Sequence, residues 1–228
     1  MADGKSNWTL LVLTAFIGAI LYCSLTYLAI LHYPGFFDPF TNFLSRLGNS
    51  TLNPTGAIYY NLAVILAGVM LFLTYLGLLS AYRNTNYQRI LIIATAIGIV
   101  NSFSLMMSGV FSEDIYTLHF IFGLLIFATW IPVLFSINYI LFKRGSYERW
   151  ISFYGFALGA LNTIFVLFVL IVGTSSGAIP EWMAVFSFQS WALLVALIVI
   201  WRYHLWANSC NYLSRFHGYG FKSRTKKF

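Results

Sequence analysis

Six apolar runs, each long enough to cross a bilayer, set what this chain can become. They fall at about 8–31, 57–80, 90–110, 115–141, 150–173 and 181–205. A helix needs roughly 20 residues to cross a hydrocarbon core about 30 Å thick, and every run meets that length. Composition agrees: 60% of the 228 residues are hydrophobic and 8% charged, against about 25% charge in a soluble domain. Too little polar surface remains to coat a water-soluble body of this size. The chain reads as an all-α polytopic membrane bundle of six transmembrane helices, one domain over 1–228 with a basic tail at 206–228. The first run is too long for the core of a cleaved signal and lacks a small-residue cleavage site, so it reads as a span that also directs insertion. No repeat relates the first three spans to the last three, as it would in many two-half transporters.

The Lys and Arg positions orient the bundle. With the N-terminus inside, the cytoplasmic set is Lys5, Arg83, Arg89, Lys143, Arg144, Arg149, Arg202, Arg215, Lys222, Arg224, Lys226 and Lys227, leaving Arg46 alone outside. Such a bias places both termini in the cytoplasm of a cell (plasma) membrane protein. The net charge of +7 is then a topology signal and not a nucleic-acid footprint. The tail FKSRTKKF is expected near anionic headgroups. Acids sort the other way, with Asp38, Glu113, Asp114 and Glu181 outside and Asp3 and Glu148 inside.

One connection is long and rich in chemistry, His32 to Gly56. Asp38-Pro39 reads as a helix start, since Asp accepts from free N–H groups and Pro suits the first helical position. Gly48 reads as the stop, able to take the left-handed conformation. Between them Phe40, Phe43, Leu44 and Leu47 share one helical face, and Thr41, Asn42, Ser45 and Arg46 the other. A short interfacial helix over about 38–48 is expected.

Within the spans, Asn101, Ser104 and Ser108 share a face of the third, Asn162 and Thr163 sit mid-way in the fifth, and Asn61 lies near the outer end of the second. Polar side chains in hydrocarbon need partners, so these are expected to face other helices as interhelical glue. None of the spans has an ionisable residue at mid-depth, which argues against an ion-coupled transporter. Gly155-Phe-Ala-Leu-Gly159 is a small-xxx-small pattern for close helix approach, expected inside the monomer. Cys23 and Cys210 lie at different depths and cannot pair. A lone juxtamembrane Cys210 is a weak acylation signal. Asn49-Ser50-Thr51 is a glycosylation sequon on the outer side; Asn7-Trp8-Thr9 also fits but is placed inside.

The outer rim gathers the remaining chemistry. Ser112 is a candidate N-cap of the fourth span, with Glu113 and Asp114 in its first turn, where the helix dipole favours negative charge. His119 lies one to two turns in, His32 ends the first span, and Glu181 starts the last. Candidate catalytic residues are Ser45, Asp114 and His119, as nucleophile, orienter and base. Candidate binding residues are Arg46, Asn49, Glu113, Glu181 and His32. His32, His119 and Asp114 are weak metal-ligand candidates. No HExxH or GxSxG spacing occurs, and haem-type facing His pairs are not supported, since His204 and His217 belong to the inner side. No cofactor is implied. The fold-closing contact expected is a hydrogen bond or ion pair from Ser45, Arg46 or Asn49 to Asp114 or His119.

Two of these segments carry a resemblance. Ser45-Arg46-Leu47-Gly48, in LSRLGNSTLNP ahead of a span containing Asn61 and Gly68, is one. Gly109-Val110-Phe111-Ser112-Glu113-Asp114 followed by His119 is the other, with Ser112 where a Pro is usual. Together they resemble the membrane family catalogued as domain of unknown function 998. The resemblance implies a six-helix integral membrane protein, typically prokaryotic, with no established activity. Three functional readings stay open: a non-catalytic accessory or scaffold subunit or lipid-binding bundle, whose partners are membrane lipids and other membrane subunits; a membrane-embedded hydrolase or metal enzyme acting on lipid-linked substrate at the outer leaflet; and a small-molecule transporter. The aromatic share of 19%, with Trp8, Trp150, Trp182, Trp201 and Trp206 near span ends, suits interfacial anchoring.

The orientation has a direct test. Cysteine placed at Ser50 should react with an impermeant reagent outside intact cells, and cysteine at Asn86 should not. The reverse pattern overturns the topology.

Overall fold

The computed structural model describes residues 7–82, 86–173 and 178–217, with the side chains of all but 7, 146, 147, 172 and 202–217. Six helices account for nearly all of it: α1 (Asn7–Leu31), α2 (Ala57–Tyr82), α3 (Gln88–Val110), α4 (Tyr116–Arg144), α5 (Ser146–Val172) and α6 (Ala178–His217). No strand occurs among the described residues. All six are long and apolar enough to cross a membrane, and the chain is a multi-pass helical membrane protein. The expected bounds hold to within a few residues except at the last span. There α6 runs on to His217, so half of the stretch read as tail is helix. The expectations resting on Asp3, Lys5, Arg83 and the tail from 218 lie outside the described residues. So do those resting on the side chains of Arg202, His204, Trp206, Cys210, Arg215 and His217.

Each helix packs on the next in sequence, and α6 closes the ring by lying against both α5 and α1. The four connections after α2 are short and make their neighbours antiparallel, and α1 runs antiparallel to α2 as well, with Gly18 against Met70 and Gly77 against Leu11. The ends of α1, α3 and α5 therefore meet the starts of α2, α4 and α6 at one end, called here the capped end. The opposite end carries Arg89, Lys143, Arg144 and Arg149. There Arg144 lies 4.5 Å over the Tyr82 ring and Arg149 5.6 Å over that of Phe142, so these cations pack their stems and planes on aromatics at the helix ends.

Two apolar clusters fill the interior. One joins Leu11, Tyr75, Trp130, Leu134, Trp191 and Val195; the other, nearer the capped end, joins Tyr22, Phe37, Leu44, Leu47, Tyr60 and Val64. Outside, every span carries exposed large apolar side chains, such as Ile20, Ile58, Phe103, Phe135, Ile171 and Leu197. A water-soluble bundle would cover that much apolar surface.

Polar ties hold the helices in register. The Asn101 amide N–H2 donates to the Ile126 carbonyl (2.6 Å) and to Thr129 Oγ1 (3.0 Å), and its oxygen accepts from Tyr75 O–H (3.3 Å). One buried side chain thus joins α2, α3 and α4. Asn162 donates to the Phe127 carbonyl across α4 and α5 (3.2 Å). Ser104 and Thr163, expected to reach other helices, bond back to Val100 and Gly159 on their own (2.9 and 2.8 Å). A short hydroxyl satisfies itself on the carbonyl four residues back, which an amide two bonds longer need not do.

The connection from α1 to α2 departs from expectation. Asp38 does start a turn: its carboxylate accepts from Phe40 N–H (3.0 Å) and Thr41 O–H (2.9 Å), and its carbonyl from Asn42 N–H (2.9 Å). The helix expected over 38–48 then stops after that one turn and resumes as a 3-10 helix, Leu44–Gly48. Its internal bonds have been taken elsewhere. The Leu44 N–H, which would bond to Phe40, donates to Glu181 Oε2 at 2.7 Å. The Asn42 carbonyl, which would receive Arg46, receives the Trp182 indole N–H at 3.0 Å. Leu44 and Leu47 are buried while Phe40 is 72% exposed, so the expected apolar stripe is split. Gly48 is not left-handed; among the described residues only Gly35 and Gly173 have φ in the left-handed range. Glycine is needed there because a Cβ would overlap the Asn61 amide, whose N–H2 donates to the Gly48 carbonyl (3.0 Å).

The Gly155–Gly159 pattern faces α4 inside the monomer. A Cβ at Gly155 would overlap the Asn138 side chain. That amide accepts from the Trp191 indole N–H (3.2 Å) and donates to the Leu134 carbonyl (2.8 Å). Gly155→Ala should therefore lower stability by about 1–3 kcal/mol, the usual cost of overpacking, seen as a lower midpoint of thermal unfolding in mild detergent. An unchanged midpoint would show that α4 and α5 have room to part.

Candidate functional site

The capped end is assembled by side chains that serve backbone groups. Asn53 is fully buried; its N–H2 donates to the Ala29 and Leu47 carbonyls (3.1 and 3.0 Å) and its oxygen accepts from Gly56 N–H (3.2 Å). It binds the end of α1, the 3-10 helix and the approach to α2 into one piece. Asp114 ties that piece to the α3–α4 hairpin. Its carboxylate accepts from Ser50 N–H (3.0 and 3.2 Å) and from Ser112 O–H (2.8 Å). The segment does fold over the hairpin, but through the Ser50 backbone and not through Ser45, Arg46 or Asn49. Ser112 donates to Asp114 and gives no side-chain cap to the helix start.

Beneath this cap a cleft of about 800 Å³ opens between α4, α5 and the start of α6. That lies within the roughly 300–1,000 Å³ common to small-molecule sites. Its depths are apolar: Leu124 and Phe127 from α4, and Phe165, Val166, Phe168 and Val169 from α5. Its mouth collects Ser45, Arg46, Glu113, His119 and Glu181. A narrower cavity of about 80 Å³ shares Ser45, His119 and Glu181 and continues inward past Tyr22 and Tyr60 to Asn101 and Trp130. The Trp130 indole is 1% exposed and its N–H meets no acceptor among the described residues. A buried indole N–H normally finds a partner. The inner cavity has room for a few waters or a small polar group.

Each mouth residue is held differently. His119 Nδ1 lies 3.1 Å from the Ser108 carbonyl and 3.0 Å from that of Phe111. Carbonyls only accept, so Nδ1 carries the hydrogen and Nε2 is left for whatever occupies the cavity. The Arg46 guanidinium donates to Asn42 Oδ1 (3.0 Å) and lies 6.0 Å from the Phe43 ring centre; no carboxylate pairs with it among the described residues. Glu181 is fixed by the Leu44 N–H, with the Ser45 N–H and hydroxyl turned toward the same carboxylate. Glu113 Oε2 is buried and meets no partner among the described residues.

Five candidates from the sequence are thus brought to one cleft: Ser45, Arg46, Glu113, His119 and Glu181. Three are not. Asp114 serves Ser50 and Ser112. Asn49 folds its side-chain oxygen onto Thr51 and Leu52 N–H (both 3.0 Å). His32 bonds to the Leu28 carbonyl (2.8 Å) and packs 5.0 Å from the Tyr59 ring. A Ser45–His119–Asp114 relay is not formed, because His119 spends its Nδ1 hydrogen on backbone. Nor are His32, His119 and Asp114 gathered; no group of three or more His, Cys, Asp or Glu is close enough to hold a metal ion among the described residues. The sequence reading missed Tyr22, Tyr60, Trp130, the α5 wall and Gly123. Gly123 is the one with a local signal, an isolated glycine inside a helical pattern. It lines both cavities, and a Cβ there would meet nothing within 4 Å.

The family model described as "Protein of unknown function (DUF998)" matches residues 16–198. No curated protein and no solved structure matches the chain.

The Glu181 contact makes a quantitative expectation. Glu181→Ala leaves the Leu44 N–H without its acceptor, at a cost of about 1–3 kcal/mol. Amide exchange across 43–48 should speed up, and the unfolding midpoint should fall. Asp114→Ala should cost less, because Ser50 is exposed and water can replace the carboxylate. Equal effects would mean that both contacts are equally sheltered.

Proposed function

The chain belongs to the DUF998 family, and from that premise we propose that it is a non-catalytic bundle holding a membrane amphiphile in the cleft between α4, α5 and α6. The observation that carries this reading is the division of the cleft: aromatic and aliphatic walls toward the middle of α4 and α5, and five polar or ionisable side chains at its mouth. An amphiphile divides the same way. Its chain gains from apolar walls, and its headgroup stays level with the ends of the spans, where polar groups are cheapest. We place the mouth on the outer side of the cell membrane and both termini in the cytoplasm, on the strength of the basic residues at the opposite end. Lipid in the cleft is compatible with a subunit role, since the exposed faces of the ring remain free to meet other membrane proteins.

A second reading has one observation in its favour. Ser45, His119 and Glu181 line both cavities together, and His119 Nε2 is uncommitted. On this reading the chain is a hydrolase of lipid-linked substrate, with Ser45 as nucleophile, His119 Nε2 as base, and the Ser108 and Phe111 carbonyls in place of a carboxylate orienting the ring. Turnover of a lipid-linked ester separates the two: under the second reading the native chain cleaves it and Ser45→Ala abolishes that cleavage, whereas under the first the native chain holds amphiphile without cleaving it.

Gly123 gives the direct test of occupancy. Gly123→Leu places a side chain in open space within the cleft and removes a helix-interior glycine, worth about 1 kcal/mol in propensity. The variant should fold with an unchanged or higher unfolding midpoint yet lose co-purifying amphiphile, measured by mass spectrometry of the extracted protein. A stable variant that retains as much lipid as the native chain would remove the cleft from consideration.

A further inference from the structure

We infer that the headgroup held at the mouth is zwitterionic, a phosphate beside a primary ammonium, as in an ethanolamine phospholipid. The inference rests on the amphiphile reading and gives its ligand a chemistry. Two observations carry it, the charge balance of the mouth and one buried oxygen.

The mouth offers one guanidinium, Arg46, and two carboxyl groups, Glu113 and Glu181. A purely anionic headgroup would gain Arg46 but face both acids. A purely cationic one would gain the acids and face Arg46. A headgroup with both signs can place each against its opposite. Arg46 is suited to the phosphate: its fork matches two phosphate oxygens, and its only side-chain partners among the described residues are the Asn42 amide and the Phe43 ring.

The kind of cation follows from Glu113. Glu113 lines the cleft, while its Oε2 is buried with no partner among the described residues, so its carboxyl has to turn for a headgroup to meet that oxygen. Ionised, that oxygen lacks a donor; protonated, it lacks an acceptor. Burial in either form is unfavourable unless a partner arrives. A primary ammonium brings three N–H donors and a matching charge. A quaternary ammonium brings charge but no N–H, so it would leave the oxygen as it was. Phe43 and Phe120 at the mouth would attract either cation through their ring faces and do not discriminate.

The test uses purified full-length protein in mild detergent. It is mixed with equal amounts of three phospholipids that share both acyl chains and carry ethanolamine, choline or glycerol headgroups, and bound lipid is counted by native mass spectrometry. The ethanolamine form should exceed each of the others by roughly tenfold, the size of one charge-assisted hydrogen bond. Glu113→Gln should bring the ethanolamine and choline forms to near parity while total bound lipid persists. Arg46→Gln should lower all three. Lipid bound without the ethanolamine preference in the native chain overturns this inference and leaves the amphiphile reading standing. A preference that survives Glu113→Gln overturns the role of Glu113. Folded native protein that binds none of the three removes both readings together. The native-chain ratio needs no variant, so it decides the matter even where a substitution fails to fold.

Discussion

A carboxylate takes a hydrogen bond that a helix would have kept for itself. Glu181, in the first turn of α6, accepts the Leu44 N–H at 2.7 Å, and the neighbouring Trp182 donates to the Asn42 carbonyl. Two successive residues of one helix thereby claim a donor and an acceptor from a segment over 130 residues earlier. In a medium poor in water, backbone groups must be satisfied by protein, so this exchange decides the shape of the capped end. It breaks the 38–48 segment into a turn and a 3-10 helix. It buries Leu44 and Leu47 and sets Ser45 and Arg46 on the cleft. It also draws the start of α6 over the ring at the point where α6 has to bridge α5 and α1.

The fold was largely legible because the bilayer reduces it to one rule that apolar run length can express. Spans two to five were readable to a few residues for that reason, and the end of α6 was missed because a helix can outlast its apolar stretch. Interhelical amides were readable too: Asn101 and Asn162 do bridge helices. Serine and threonine were not, because a hydroxyl has its own helix as a competing partner. The connection from 32 to 56 shows the limit of local reasoning. Asp38 signals a start and that start is real, but what ends the turn is a carboxylate distant in sequence. Gly48 looked like a conformational device and proves to be a spatial one, vacated for Asn61.

The site was legible in its polar half and not in its apolar half. Charged and imidazole residues are rare here, so those of the capped end stood out by type, and five of the candidates reach one cleft. Asp114, Asn49 and His32 were indistinguishable from them by sequence, because whether a polar group serves a ligand or a nearby backbone N–H depends on loop geometry. The walls carried no signal. Phe165 and Val169 look like any other apolar residues of a span, and only the way α4, α5 and the start of α6 come together makes them line a cavity. Trp130 is similar: a buried tryptophan is ordinary, and its unmatched N–H emerges only from three-dimensional packing.

Gly123 has an implication for how this family is read across its members. At Gly68, Gly98, Gly109 and Gly155 a neighbour sits where a Cβ would go, so selection would preserve those glycines for assembly whatever the protein does. At Gly123 nothing stands in the way, and drift toward alanine or leucine would be welcomed by the helix. Persistence of glycine at that one position among diverged relatives would therefore record pressure from an occupant and not from packing. Its ready replacement would mark lineages in which the cleft has fallen out of use.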